Sequence, residues 1–246
     1  MAPDLRTELL ELSRAFRSHL DEHVQSGSWE LPPSPPTSRV TSIPVEATAA
    51  ATGGEATPAS PIRRNLSMLR QEAAECTACN LHQERTQSVF SRGTGSSGLA
   101  FVGEGPGHEE DLRGLPFVGP AGQLLDRMIT AMKLSPEEVY VCNIVKCRPP
   151  KNRKPEPREM ASCRPFLEEQ LAQVKPRVIV ALGATAVQGL LGATGGITRM
   201  RGQWKVYQGT TPVMPTFHPA YLLRQPSAKR DVWRDLQAVV AELARG

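Results

Sequence analysis

The chain has 246 residues, 39% of them hydrophobic, a formal net charge of +4 and five cysteines. No apolar run approaches the ~20 residues of a membrane-spanning helix, and Asp4, Glu8 and Glu11 stand where a signal peptide would be apolar. An odd cysteine count fits a reducing cytoplasm better than a disulfide framework; a monomer without a membrane partner is expected.

Asp4 to Val24 reads as a helix, with Leu5, Leu9, Leu12, Phe16 and Leu20 on one face. This segment, residues 1–30, suits docking on the body or on a protein partner as well as it suits an amphipathic tail of no specific role. Residues 31–62 hold seven prolines among Ala, Thr and Ser and read as a disordered linker. Charge divides at the same boundary. Residues 1–62 carry 4 Lys+Arg against 8 Asp+Glu, and residues 63–246 carry 25 against 17. A basic domain over 63–246 suits a phosphate-backbone partner as well as it suits a merely soluble surface.

Within that domain, strands alternate with helices. Asn65–Ala74 is a helix, Leu99–Glu104 a strand, and Gly119–Lys133 contains a helix. Val139–Val145 is the second strand, Pro157–Val174 a helix, Val178–Leu182 the third strand and Ala184–Leu191 a short helix. Thr211–Phe217 is the fourth strand, Trp204–Gln208 suits a side hairpin with it, and Asp231–Arg245 is the closing helix. The alternation predicts a three-layer α/β/α sandwich on a four-stranded parallel sheet.

The densest signal comes after the first strand. Six glycines and three prolines lie from Gly103 to Gly122, around Phe117 and the carboxylates Glu104, Glu109, Glu110 and Asp111. Such a loop turns sharply and approaches something closely, at the strand end where α/β sheets place ligands. The three acids also suit a helix start. Two residues separate Cys76 from Cys79, and fifteen separate Cys147 from Cys163. Together the four imply a Cys₄ centre, zinc or iron–sulfur; spacing does not choose between these. Cys142, inside the second strand, reads as a buried thiol.

The stretch GEGPG, ED and G-x-PFVG-x-AG-x-LL resembles the first motif of the iron–sulfur (family 4) uracil-DNA glycosylases. Asn143–Pro150, NIVKCRPP, resembles their second motif, and His218–Arg224, HPAYLLR, their third. The resemblance runs from about Arg63 onward. It implies removal of uracil from single- or double-stranded DNA by hydrolysis of the N-glycosidic bond, as base-excision repair requires. It implies a structural [4Fe-4S] cluster on Cys76, Cys79, Cys147 and Cys163.

It also assigns roles. Phe117 stacks the flipped base, and Asn143 reads the uracil edge, since an amide offers an oxygen to N3–H and an NH₂ to O4. His218 stabilises the leaving charge, with help from the backbone of the Gly103-Glu104-Gly105 turn. The residue that orients the water is left open between Glu104 and Glu110. Apart from the resemblance, Leu222 or Leu223 suits a wedge into the gap left by the base, and Arg224, Lys229 and Arg230 suit phosphates. Lys151, Asn152, Arg153 and Lys154 form a second basic loop, and each of these residues suits a solvated surface equally. Two rivals remain: a relative that traps the abasic sugar on a loop histidine, which the loop RPPKNRKPEPRE lacks, and a non-catalytic zinc protein that binds nucleic acid.

Overall fold

The computed structural model describes residues 64–245. The helix expected over Asp4–Val24 and the linker over 31–62 lie outside the described residues. No helix among the described residues is long and apolar enough to cross a membrane.

The sheet has five strands in the order β2-β1-β3-β5-β4. They are β1 (Leu99–Gly103), β2 (Tyr140–Asn143), β3 (Val178–Leu182), β4 (Lys205–Tyr207) and β5 (Thr211–Thr216). The four expected strands are parallel, and the anticipated side hairpin adds a fifth, antiparallel one. The sheet is therefore five-stranded where four strands were expected. The three-residue β4 buries Tyr207 and leaves Val206 56% exposed at the edge.

The α-helices among the described residues are α1 (Leu66–Glu75), α2 (His108–Arg113), α3 (Pro120–Ala131), α4 (Pro157–Val174), α5 (Ala184–Leu191), α6 (Ile197–Met200), α7 (Pro219–Arg224) and α8 (Lys229–Leu243). Successive strand residues face opposite sides, so one apolar run feeds two cores. Leu99, Phe101, Val141, Val180 and Met214 pack with Leu125, Ile129, Leu236 and Val239 of α3 and α8. Ala100, Val102, Cys142, Ile179 and Val213 pack with Leu167, Leu171, Ala186 and Val187 of α4 and α5. Each large apolar side chain so buried contributes roughly 1.5–3 kcal/mol.

Two smaller devices aim the functional segments. Helix α1 is capped by Asn65, whose Oδ1 accepts the Met68 N–H at 2.9 Å, and its Leu69 and Ala73 pack with Phe90. The helix thereby delivers Cys76 and Cys79 to the body. At the other end of the sheet, buried Asp235 of α8 accepts from Thr216 Oγ1 at 2.6 Å and from Arg201 Nε at 3.0 Å. That network fastens the end of β5 two residues before His218.

Candidate active site and cysteine centre

The carboxyl ends of β1, β2, β3 and β5 open into one cleft of about 510 Å³. Glu104, Gly105, Phe117, Asn143, His218 and Arg224 all line it. Gly103 lies beneath them: a Cβ there would overlap Asn143 Oδ1 and stand 2.6 Å from Phe117 Cζ. Only glycine lets the amide and the aromatic ring share that space. The sequence motifs, far apart along the chain, are thus brought together because each ends a strand of one parallel sheet.

Phe117 is buried and holds a left-handed backbone, φ 57°. Such a conformation costs an aromatic residue on the order of 1–3 kcal/mol and persists only where its surroundings enforce it. Two features enforce it. A Cβ on Gly122 would overlap the Phe117 carbonyl, so α3 approaches as closely as glycine allows. Glu110 Oε1 accepts the N–H groups of Val118 and Gly119, each at 3.0 Å, while its Oε2 accepts the Gly107 N–H at 3.2 Å. Glu110 lines the cleft, but its carboxylate is engaged as a clamp that sets the Phe117 turn.

The neighbouring acids divide similarly. Asp111 is buried and accepts the Thr86 N–H with both oxygens, at 3.0 and 3.1 Å. Glu109 pairs with Arg113 on the surface at 3.4 Å. Together with the Glu110 cap they build α2, the helix start that the run of acids suits.

His218 caps α7. The Ala220 N–H donates to its Nδ1 at 3.1 Å, and its ring lies 5.5 Å from that of Phe117, tilted by 30°. Burial, reinforced by the Arg224 guanidinium and opposed by Glu110, pushes its pKa down to about 4. The ring is therefore neutral at pH 7 and carries its proton on Nε2. Asn143 is 1% exposed and its Oδ1 is a buried acceptor without a partner. Native interiors rarely leave such an atom unmatched, and of the buried side-chain atoms without a partner among the described residues, Asn143 Oδ1 belongs to a residue that lines the cleft.

The wedge assignment needs a correction. Leu222 is 1% exposed and packs in the core with α3 and α8, so it is not free to enter DNA; Leu223, 44% exposed, is. The basic loop after Pro149 reaches the cleft through Asn152, Arg153 and Lys154. Its Lys151 and Asn152 both hold positive φ, and Arg153 grips buried Glu159 with two hydrogen bonds of 2.6 and 2.8 Å. Tyr221, to which the sequence motifs assign no role, also lines the cleft, packed on Phe217 with ring centroids 4.8 Å apart.

On the other side of the second motif, Cys76, Cys79, Cys147 and Cys163 line one small cavity of about 20 Å³. Burial pushes the Cys163 thiol up to about 11 and raises that of Cys147. Four thiols gathered at one cavity, Cys147 buried and the other three partly so, suit a cation, which would hold them as thiolates. Donors are already aimed at two sulfurs: Arg85 Nη1 at Cys147 Sγ, 3.0 Å, and the Lys146 N–H at Cys163 Sγ, 3.3 Å. Among the described residues no three His, Cys, Asp or Glu side chains close to the spacing of a single bound ion. Lys146 itself, a motif residue whose type gives no hint of a role, is 1% exposed.

A family model of the uracil DNA glycosylase superfamily matches residues 90–237. The type-4 uracil-DNA glycosylase of Thermotoga maritima is 46% identical over 175 residues, covering 70% of this chain and 91% of that protein. Those of Sulfurisphaera tokodaii and Archaeoglobus fulgidus are each 37% identical, covering 71% of this chain and 83% and 92% of theirs.

Proposed function

The chain belongs to the uracil-DNA glycosylase superfamily, in its type-4 branch, and from that premise we propose that it excises uracil from DNA and leaves an abasic site for repair. What carries this reading from the residues upward is the buried, partnerless Oδ1 of Asn143 in a cleft that also holds Phe117 and the neutral His218.

The base must first leave the stack, at a cost of a few kcal/mol, roughly, that is least in single strands and at mismatches. Leu223 fills the gap it leaves, and Arg224 with the loop at Arg153 and Lys154 holds the flanking phosphates. Phe117 then stacks on the pyrimidine. Asn143 accepts from uracil N3–H with Oδ1 and donates to O4 with its NH₂; cytosine, with the reverse pattern, leaves buried groups unmatched. As the glycosidic bond breaks, negative charge grows on uracil O2. The Nε2–H of His218 donates to that oxygen, and backbone N–H groups of the Glu104–Gly105 turn assist. Such preset donors stabilise the transition state more than the ground state. With Glu110 committed to its clamp, Glu104 is the carboxylate that orients the water and stabilises the oxocarbenium-like sugar.

Cys76, Cys79, Cys147 and Cys163 hold a [4Fe-4S] cluster in this reading. The N–H donors aimed at Cys147 Sγ and Cys163 Sγ support it, since hydrogen bonds to the sulfurs are one means by which a protein tunes such a cluster. The group would supply a structural crosslink that ties α1 to the loop after β2 and to α4. The test is incubation of anaerobically purified protein with a uracil-bearing oligonucleotide, followed by alkali and by iron and zinc analysis. Alkali-labile breaks at uracil, with brown protein absorbing broadly near roughly 400 nm, are expected. Intact oligonucleotide, or colourless protein with one zinc and no iron, overturns the respective half.

A further inference from the structure

Lys146 is among the largest fully buried side chains of the protein, at 1% exposure. No carboxylate pairs with its ammonium among the described residues. A buried charge without a counter-charge is costly, by several kcal/mol as an order of magnitude, and lysine is almost never found so. Something must offset it.

Its surroundings point in two directions. Its Nζ donates to the backbone carbonyl of Asn143 at 2.6 Å, where β2 ends. Its backbone N–H donates to Cys163 Sγ at 3.3 Å, and the residue lines the cavity of the four cysteines. Its carbonyl accepts the Val89 N–H at 2.7 Å, so the main chain is pinned as well. A second cation at the centre is Arg85, whose Nη1 donates to Cys147 Sγ at 3.0 Å. Four thiolates around an iron–sulfur core make an anionic centre.

We propose that Lys146 is the counter-charge of the cysteine-held cluster and the tie from it to the base-reading amide, a positioning residue for uracil recognition. This rests on the cluster and uracil readings of the two sites. With the four cysteines holding the cluster, the Lys146 charge would offset it, while the Nζ hydrogen bond fixes the Asn143 carbonyl and hence the angle at which that side chain enters the cleft. Lys146 would in this way link the cysteine centre to specificity without touching the substrate.

The test uses the full chain, purified anaerobically, as wild type, K146M and K146R. Three quantities are read: iron per chain, reduction potential by dye-mediated titration, and inhibition by free uracil. K146M removes the charge at similar volume. Its cluster should be harder to reduce, with the potential displaced to more negative values, and free uracil should bind about tenfold more weakly, the scale of one hydrogen bond to a charged group. K146R keeps the charge and should hold the wild-type potential. A purely structural lysine would leave the potential of an iron-loaded K146M unmoved, and that result overturns the proposal while the cluster reading stands. Wild-type protein without iron overturns both. If K146M is recovered without iron, K146R decides: iron at the wild-type potential supports the proposal, and an iron-free K146R overturns it.

Discussion

His218 and Ala220 are joined by a hydrogen bond in which the Ala220 backbone N–H donates to Nδ1 at 3.1 Å. A ring nitrogen that accepts carries no proton, so the neutral imidazole presents Nε2–H. Sequence shows a histidine before a proline; this one bond shows which tautomer it adopts.

The first prediction concerns that ring. Burial, with Arg224 nearby, brings its pKa to about 4, below the ordinary value of 6.5. His218 therefore stays neutral on acidification through pH 6.5 and gains a proton only near 4. Single-turnover rates measured from pH 4 to 9 should show no loss assignable to His218 around 6.5. The unfolded chain does bind a proton at 6.5, so this group should weaken folding as pH falls from 6.5 towards 4. His218→Ala should lower kcat by roughly 10²–10³, the effect of removing one oxyanion-type donor, and leave base preference intact. A rate that drops with a midpoint near 6.5 in wild type, and not in the variant, would contradict the neutral tautomer.

A second prediction separates clamp from base at Glu110. Its two oxygens accept three backbone N–H groups, at 3.0, 3.0 and 3.2 Å. Glu110→Ala leaves those donors unmatched and frees the Phe117 turn. Thermal unfolding should show a loss of about 1–3 kcal/mol, together with weaker uracil binding. A water-activating carboxylate would behave differently, abolishing turnover while the melting temperature held. Melting curves and free-uracil inhibition on one preparation distinguish the two.

Much of this arrangement is legible in the sequence, for physical reasons that can be traced. Runs such as Leu99–Val102 and Val178–Leu182 are apolar on both alternations, as strands covered on both faces must be, so the parallel sheet and the cleft at its carboxyl edge can be inferred from them. The four cysteines are legible as chemistry, and helix α1 accounts for their meeting. Helix α2 is legible only as a start, in its run of acids; it is six residues long among glycines and prolines, and depends on the bonds Glu110 makes to Val118 and Gly119 across the loop. Two things are not legible. The burial of Lys146 runs against its residue type and arises from the path of the loop between Asn143 and Cys163. The phase of α7 is the second case.

That phase yields a third prediction. Leu222 and Leu223 are adjacent in sequence, yet one is 1% and the other 44% exposed. A helix of six residues has too little periodicity to reveal which leucine faces inward; packing against α3 and α8 decides it. Leu222→Ala should cost about 2–5 kcal/mol of stability, read by denaturant unfolding, with activity per folded molecule little changed. Leu223→Ala should leave stability alone and slow excision from duplex more than from single strands, since only a duplex leaves a gap to fill. Reversed outcomes would mean that Leu223, and not Leu222, is the leucine of α7 that packs in the core.

The last prediction concerns how the base is read. Asn143 Oδ1 is buried without a partner, and Gly103 beneath it, having no Cβ, leaves the amide its place. If that oxygen accepts uracil N3–H while the NH₂ meets O4, Asn143→Asp changes the reading edge and little else. An ionised aspartate has two acceptors and repels O4, so uracil release should weaken. A protonated one offers a donor to cytosine N3 and an acceptor to the N4 amine, so discrimination against cytosine should relax. Only the protonated form does this, hence any gain on cytosine should grow as pH falls. His218→Ala, by contrast, removes charge stabilisation and leaves the edge untouched. The measurement is single-turnover excision from matched oligonucleotides with U or C at one site, for both variants and wild type, at two pH values. A change of preference in His218→Ala, with mere slowing in Asn143→Asp, would assign the two roles the other way round. Unchanged discrimination in both would move the reading of the base away from Asn143 altogether.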